Sequence, residues 1–106
     1  MDKGAVLAIV EQFRRALVEV GVRPQRLTLY GSCARGEAHE WSDIDVVVVS
    51  DDFAERGYWE RIDLLVEAIY KVRKPIEAVP MTPEEWERGD SLLAQYARQG
   101  EEVPGL

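Results

Sequence analysis

Four consecutive valines, Val46 to Val49, constrain this chain more than any other feature of its sequence. β-Branched side chains favour strands, and a run of this length is too short for a free-standing helix. Because a strand that is apolar at every position has both faces covered, we expect residues 43–49 to form a central strand of a sheet. Asp43 and Asp45 come directly before the valines, so the fold must place two carboxylates at the start of that strand.

The segments around this strand alternate between helix and strand patterns. The expected order is helix, strand, strand, helix, strand, helix, helix, and such interleaving predicts an α/β (α+β) domain with a small mixed sheet packed against helices. The predicted elements cover about residues 4–20, 26–30, 43–49, 59–72 and 75–81, followed by a helix with a capping box that starts at Thr82 and a last helix that Asp90 or Ser91 caps and Gly100 stops.

The bulk composition narrows the class of protein. The 106 residues, of which 46% are apolar, fit one small domain spanning 1–106. A net charge of -7 argues against strong binding to a nucleic-acid backbone, which requires an excess of Lys and Arg. A single cysteine, Cys33, excludes an internal disulfide. With no apolar run long enough to span a membrane, we expect a cytoplasmic protein.

The two aspartates are candidates for metal binding. Residues two apart on a strand leave the same face, so the carboxylates of Asp43 and Asp45 should converge. Converging carboxylates repel each other unless a cation lies between them, and Mg²⁺ prefers such hard oxygen ligands. The alternative is a surface pair at the mouth of the strand, capped by Ser42.

Gly31-Ser32 directly follows the predicted strand 26–30. A glycine there allows backbone amides to approach a phosphate closely, and a serine adds a hydroxyl donor. A helical turn beginning near Ser32 would add its free N–H groups to the same anion site. The alternative is an ordinary turn, and the sequence lacks the Gly-Lys-Ser/Thr ending of a P-loop.

Taken together, these two features resemble a known signature. Gly31-Ser32-x-Ala34-Arg35-Gly36, six intervening residues and then Asp43-x-Asp45 is similar to the motif of the DNA polymerase β-like nucleotidyltransferases, above all their minimal, single-domain branch. The resemblance is concentrated in residues 29–49, although the element order fits over most of the chain. It implies the polymerase β-like fold and the transfer of a nucleoside monophosphate from a triphosphate, expected to be ATP, to an acceptor hydroxyl with release of pyrophosphate.

The resemblance also implies roles for three carboxylates. Asp43 and Asp45 would hold two Mg²⁺ ions, and a third carboxylate on a neighbouring strand would hold one of them and could accept the acceptor's proton. Glu77 is the acid that stands in a strand-like context, in Ile76-Glu77-Ala78-Val79, where an isolated acid is costly unless paired or bound to metal. The alternative is an edge strand with Glu77 facing water.

The same resemblance assigns nucleotide binding to the glycine-serine turn. Gly31 and Ser32 would bind the terminal phosphates, and Arg35 would neutralise phosphate charge unless it pairs with Glu37 or Glu40.

Trp59 and Trp86 fall on predicted helices and are expected to pack in the core or at its edge. We expect loop packing for Trp41, with stacking on a base as the alternative, and a surface role for His39. Cys33 occupies a variable position of the motif, where a nucleophilic role would require exposure.

These motifs do not identify the acceptor of the nucleotide. Relatives in the minimal branch often act with a small helical partner of the HEPN type, in some systems a toxin that the transferase modifies, so the resemblance implies an antitoxin-like enzyme in a homo- or hetero-oligomer. A competing hypothesis is a nucleotide- and metal-binding subunit that acts by forming a complex with little catalysis. A plain structural α/β domain is the third.

Overall fold

Helices and strands alternate along the chain as the sequence patterns predict. The computed structural model describes residues 2–36 and 43–104, so predictions that fall on Glu37, His39, Glu40, Trp41 and Ser42 lie outside the described residues. In chain order the elements are α1 (Lys3–Glu19), β1 (Arg26–Tyr30), α2 (Gly31–Ala34), β2 (Ile44–Val49), a 3₁₀ turn (Asp51–Phe53), α3 (Tyr58–Val72), β3 (Ile76–Met81), α4 (Pro83–Arg88), α5 (Leu92–Ala97) and β4 (Glu101–Val103).

The strands form a four-stranded mixed sheet in the order β3-β2-β1-β4. Strand β2 runs antiparallel to β1 and parallel to β3, and β4 pairs with the other edge of β1. The prediction that the valine strand lies inside the sheet is confirmed. Its side chains alternate between two apolar clusters, since Val46 and Val48 pack with α1 and α3 whereas Val47 and Val49 pack with α4 and α5.

The larger cluster fills the space between the sheet and two helices. Phe13 and Leu17 of α1 and Leu65 and Ala68 of α3 are all fully buried against this face. The opposite face is covered over only part of its area by the short helices α4 and α5, through Trp86, Ala94 and Ala97. The sheet therefore has one closed face and one partly open face. Across residues 2–36 and 43–104, no helix has the length and apolar character needed to cross a membrane.

Two predictions about individual positions are corrected. Trp86 is buried as expected, but Trp59 is 74% exposed, so the expectation that it packs in the core or at its edge is wrong. Helical spacing identifies an apolar face and cannot distinguish the inward stripe from an apolar stripe beside it. The last helix is capped by Ser91, one of the two predicted caps, but it ends at Ala97, three residues before the predicted stop at Gly100.

Candidate active site

Three strands bring Tyr30, Asp45 and Glu77 into one row. The register pairs Tyr30 with Asp45 across β1 and β2, and Asp45 with Glu77 across β2 and β3. Because Ile44 and Val46 point into the larger cluster, the side chain of Asp45 points to the partly open face. Glu77 lies on the edge strand β3 and is exposed, as in the alternative considered from the sequence, and the register also places it beside Asp45.

The carboxyl groups of Asp45 and Glu77 are in direct contact. Partial burial of Asp45, its side-chain hydrogen bond with Glu77 and the negative charges of Glu77 and Asp43 together raise the pKa of Asp45 to about 6. The charged form of Asp45 is therefore disfavoured when no cation is near. Asp43 itself is exposed and precedes β2 by one residue.

The glycine-serine turn lies directly against Asp45. Gly31 begins α2 with a φ of 70°, a conformation that favours glycine. A Cβ added at Gly31 would lie 2.6 Å from Oδ2 of Asp45. The turn and the carboxylate therefore share one small space, as the sequence predicted, and the helical turn begins at Gly31, one residue before its expected start near Ser32.

Cys33 has a structural place beside this turn. Its side chain is buried in the larger apolar cluster, and its thiol lies 3.5 Å from the carbonyl oxygen of Asp43. Burial, followed by the charge of Asp45, raises the pKa of the Cys33 thiol. Since a nucleophilic cysteine needs a lowered pKa and exposure, Cys33 is a packing residue and not a nucleophile in this structure.

A small cavity opens beside the turn, between α2 and α5. Its volume is about 150 Å³, and it is lined by Tyr30, Gly31, Ala34, Arg35, Tyr96, Gln99 and Gly100. Arg35 donates a hydrogen bond from Nη1 to the hydroxyl of Tyr96 (2.9 Å), and the ring of Tyr96 meets that of Tyr30 edge-to-face at 5.8 Å. Burial and the charges of Asp45 and Glu77 raise the pKa of Tyr30 to about 12, so its phenol stays neutral.

Sequence reasoning missed Tyr30 and Tyr96 as neighbours of the site. Tyr96 falls within the predicted last helix, and no motif links it to the glycine-serine turn 65 residues earlier. Tyr30 was visible only as the last residue of a strand. Tyr30 lies beside Asp45 because of the register between β1 and β2, and only the tertiary structure reveals that register.

The predicted ligands have the oxygen donors that Mg²⁺ prefers, but their side chains do not yet surround one point. Asp45 and Glu77 offer adjacent hard oxygens. Burial and negative neighbours raise the pKa of Asp45, and a bound cation would stabilise its charged form. However, no three Asp, Glu, His or Cys side chains of residues 2–36 and 43–104 are arranged to hold a metal ion together. The structure thus brings Asp45 and Glu77 together and leaves Asp43 beside them.

Solved structures share this architecture. A candidate nucleotidyltransferase from Sulfolobus solfataricus is 20% identical, with a TM-score of 0.66 over 81% of this chain and 75% of its own. A toxin-antitoxin structure with AMP-PNP is also 20% identical, with a TM-score of 0.65 over 91% of this chain and 73% of its own. Another candidate nucleotidyltransferase is 24% identical, with a TM-score of 0.56 over 95% and 99%. At these identities the likeness establishes the fold.

The sequence itself decides the family. No curated protein matches the chain significantly. Residues 10–98 match the profile of the nucleotidyltransferase domain family, a span that contains the turn, both aspartates, Glu77 and Tyr96. This match covers most of the chain, and the protein belongs to the nucleotidyltransferase domain family.

Proposed function

We propose that residues 1–106 form one minimal nucleotidyltransferase domain that transfers a nucleoside monophosphate from ATP to an acceptor hydroxyl. The observation that carries this proposal is the contact between Gly31 and the carboxylate of Asp45, which itself contacts Glu77. A turn able to approach phosphate and a carboxylate pair able to hold a cation share one space. That combination is what a metal-bound triphosphate requires.

Asp43, Asp45 and Glu77 are the proposed metal ligands. Two Mg²⁺ ions, when bound, would supply charge neutralisation at the attacking and leaving oxygens. Asp45 and Glu77 are held at a fixed separation because their strands pair directly. Glu77, which is exposed at the sheet edge, would accept the proton of the attacking hydroxyl.

Gly31, Ser32 and Arg35 are the proposed nucleotide-binding residues. The absence of a side chain at Gly31 keeps the space above Asp45 open. Arg35 borders the adjacent cavity, where the Tyr96 hydroxyl holds its guanidinium. From this position Arg35 would meet the terminal phosphates, since guanidinium groups bind phosphate oxygens in a bidentate manner.

A separate protein is the proposed acceptor. The similar toxin-antitoxin structure with AMP-PNP supports both an adenine nucleotide and a partner protein. We propose a small helical partner of the HEPN type, whose hydroxyl group would receive the nucleotide and which this chain would thereby regulate.

Ligand-induced stabilisation tests the binding step. At about a hundred times its dissociation constant, Mg²⁺-ATP should stabilise the protein by roughly 2.7 kcal/mol, which raises the Tm of a domain this size by roughly 10 °C. Asp45→Asn, Glu77→Gln and Gly31→Ala should abolish the shift, because they remove a ligand or fill the space above Asp45. Asp63→Asn, a neutralised acid on α3, is the matched control and should keep it. A wild type that shows no Mg²⁺-dependent shift with any triphosphate refutes the proposal.

A second candidate is a binding subunit that does little catalysis. The exposure of Glu77 and the lack of a three-carboxylate cluster among the described residues favour it. The two functions separate in a transfer assay with α-³²P-labelled ATP and the product of the adjacent gene. Label on that protein that depends on Asp45 establishes transfer, whereas a stable complex that never acquires label establishes the binding subunit.

A further inference from the structure

The outward face of α3 carries an uncovered apolar stripe. Trp59, Val66 and Tyr70 recur at spacings of seven and four residues, so their side chains lie in one line along the helix. These residues are 74%, 57% and 72% exposed. Tyr58 meets Trp59 edge-to-face at 5.1 Å and the guanidinium of Arg73 lies 5.8 Å from the Tyr70 ring, so in 2–36 and 43–104 only neighbours on or next to the same helix contact the two rings. Single exposed apolar residues are ordinary, whereas two aromatic residues and a valine in one line are typical of an interface.

Charges are ordered along the same helix. Glu60, Asp63 and Glu67 follow one border of the stripe, and none of them forms a salt bridge within the described parts of the chain. The C-terminal end is basic, with Lys71 in its last turn and Lys74 just beyond. Lys71 makes an exposed pair with Glu19 of α1 at 3.4 Å. The helix thus changes from acidic to basic along its length.

We propose that this face of α3 is the contact surface of a homodimer, in which the α3 helices of two copies pack antiparallel across a two-fold axis. In that arrangement the stripe meets its own copy, and Glu60 in the first turn of each helix meets Lys71 in the last turn of the other. A parallel pair would instead place the acids of one copy against those of the other. Opposed helix dipoles favour the antiparallel pair as well.

The dimer is expected to be weak and to leave catalysis unaffected. A stable interface buries about 1,200–2,000 Å² in total, and one pair of four-turn helices buries less, so we expect a micromolar dissociation constant. Each copy also carries a net charge of -7, which opposes association. Because α3 packs on the closed face of the sheet, the partly open face with Asp45 and Glu77 stays accessible in both copies.

Sedimentation equilibrium of the full chain without nucleotide tests the proposal, at protein concentrations from about 10 to 500 µM. Wild type should dimerise reversibly, and Trp59→Ser should weaken the dimer at least about tenfold because it removes the largest ring of the stripe. Leu92→Ser, at a residue of similar exposure on α5, is the control and should leave the dimer unchanged. Wild type that stays monomeric overturns the proposal and leaves α3 as a face for a different protein.

A charge swap tests the antiparallel arrangement. Glu60→Lys and Lys71→Glu should each weaken the dimer about tenfold, because each places like charges opposite one another. The double variant Glu60→Lys/Lys71→Glu has the net charge of wild type and should recover its affinity. If the double variant remains as weak as the single variants while retaining the circular dichroism spectrum of wild type, the antiparallel homodimer is wrong. Since no nucleotide is used, this result is independent of the proposed transfer activity.

Discussion

At the scale of single residues, the ionised carboxylate of Asp45 is the form proposed to bind metal, yet it destabilises the folded protein. Its folded pKa of about 6 lies above the ordinary 3.8, so the folded state binds more protons than the unfolded state between these values. Stability should therefore fall as pH rises through 6. Asp45→Asn cannot ionise, and we expect it to be more stable than wild type by about 1 kcal/mol at pH 7.5, a figure reduced for partial solvent screening.

Urea denaturation in EDTA measures this difference. The advantage of Asp45→Asn should shrink as the pH approaches 4, because wild-type Asp45 is then protonated in the folded state too. An Asn variant that is equally or less stable at pH 7.5 would show that the carboxylate is tolerated without a cation.

Gly100 is required for a different reason, the close approach of two backbones. A Cβ at this position would overlap the carbonyl oxygen of Leu29 in β1 and lie 2.9 Å from its carbonyl carbon. Because backbone atoms cannot move aside as a side chain can, Gly100→Ala should cost roughly 2–3 kcal/mol. Gly4→Ala, near the start of α1 with only an ordinary contact at 3.4 Å, is the control and should be neutral or slightly stabilising. Thermal unfolding of both variants gives the comparison.

At the scale of elements, α4 is fixed by its capping box and by a cation from α3. The Thr82 N–H donates to Oε1 of Glu85 (2.7 Å), the Glu85 N–H donates to the Thr82 hydroxyl (3.1 Å), and Arg61 donates to the same Oε1 (2.7 Å). Burial raises the pKa of Glu85, but these hydrogen bonds and the charge of Arg61 outweigh it, so the pKa lies below 4.5. The resulting stability is present above pH 4.5 and is lost as pH falls through the folded pKa.

Glu85→Gln isolates the charge, since glutamine still serves in a capping box. We expect it to cost roughly 0.5 kcal/mol at pH 7, because the ion pair is partly exposed, and less at pH 3. Glu85→Ala, which also loses the cap, should cost about 1 kcal/mol more at both pH values. Chemical denaturation at the two pH values checks both statements, and a cost of Glu85→Gln that does not change with pH would contradict them.

The elements that could be predicted from the sequence are those with enough residues to show a period. The long helices, the valine strand and the Thr82 cap were all recognisable, and Arg26–Tyr30 was predicted with its observed bounds. Strand β4 has three residues and α2 has four, too few for either period to appear. The carboxylates and the turn were recognisable by spacing, but the contacts of Tyr96 depend on how α5 packs, which no local pattern encodes.

At the scale of the whole molecule, the two ends of the described chain are joined. Lys3 pairs with Glu101, and Arg14 donates to the carbonyl oxygens of Val103 (3.2 Å) and Pro104 (3.1 Å), while β4 pairs with β1. Helix α1 is therefore anchored by the last strand. The sheet edge of β1, which would otherwise be free, is covered by the same strand.

Removal of residues 101–106 should destabilise the domain and promote aggregation. Burial of Val103 alone is worth about 1.5–3 kcal/mol, so the Tm should fall by roughly 10 °C, and the exposed edge of β1 should favour intermolecular pairing. Differential scanning calorimetry and light scattering measure the two effects. Glu102→Gln, which loses only an exposed pair with Arg26 at 3.5 Å, is the control and should behave as wild type. A shortened chain with unchanged Tm would show that β4 contributes little.

The register of the mixed sheet gives the two halves of the site unequal protection from hydrogen exchange. Asp45 lies on a strand that is paired on both sides, whereas Glu77 lies on the edge strand, which is paired on one side. Amides of β2 should exchange only through global unfolding, and those of β3 through smaller local openings. In mild denaturant β3, with Glu77, should therefore detach from the sheet while β1 and β2 are still folded. Loss of activity should then precede the loss of tertiary structure.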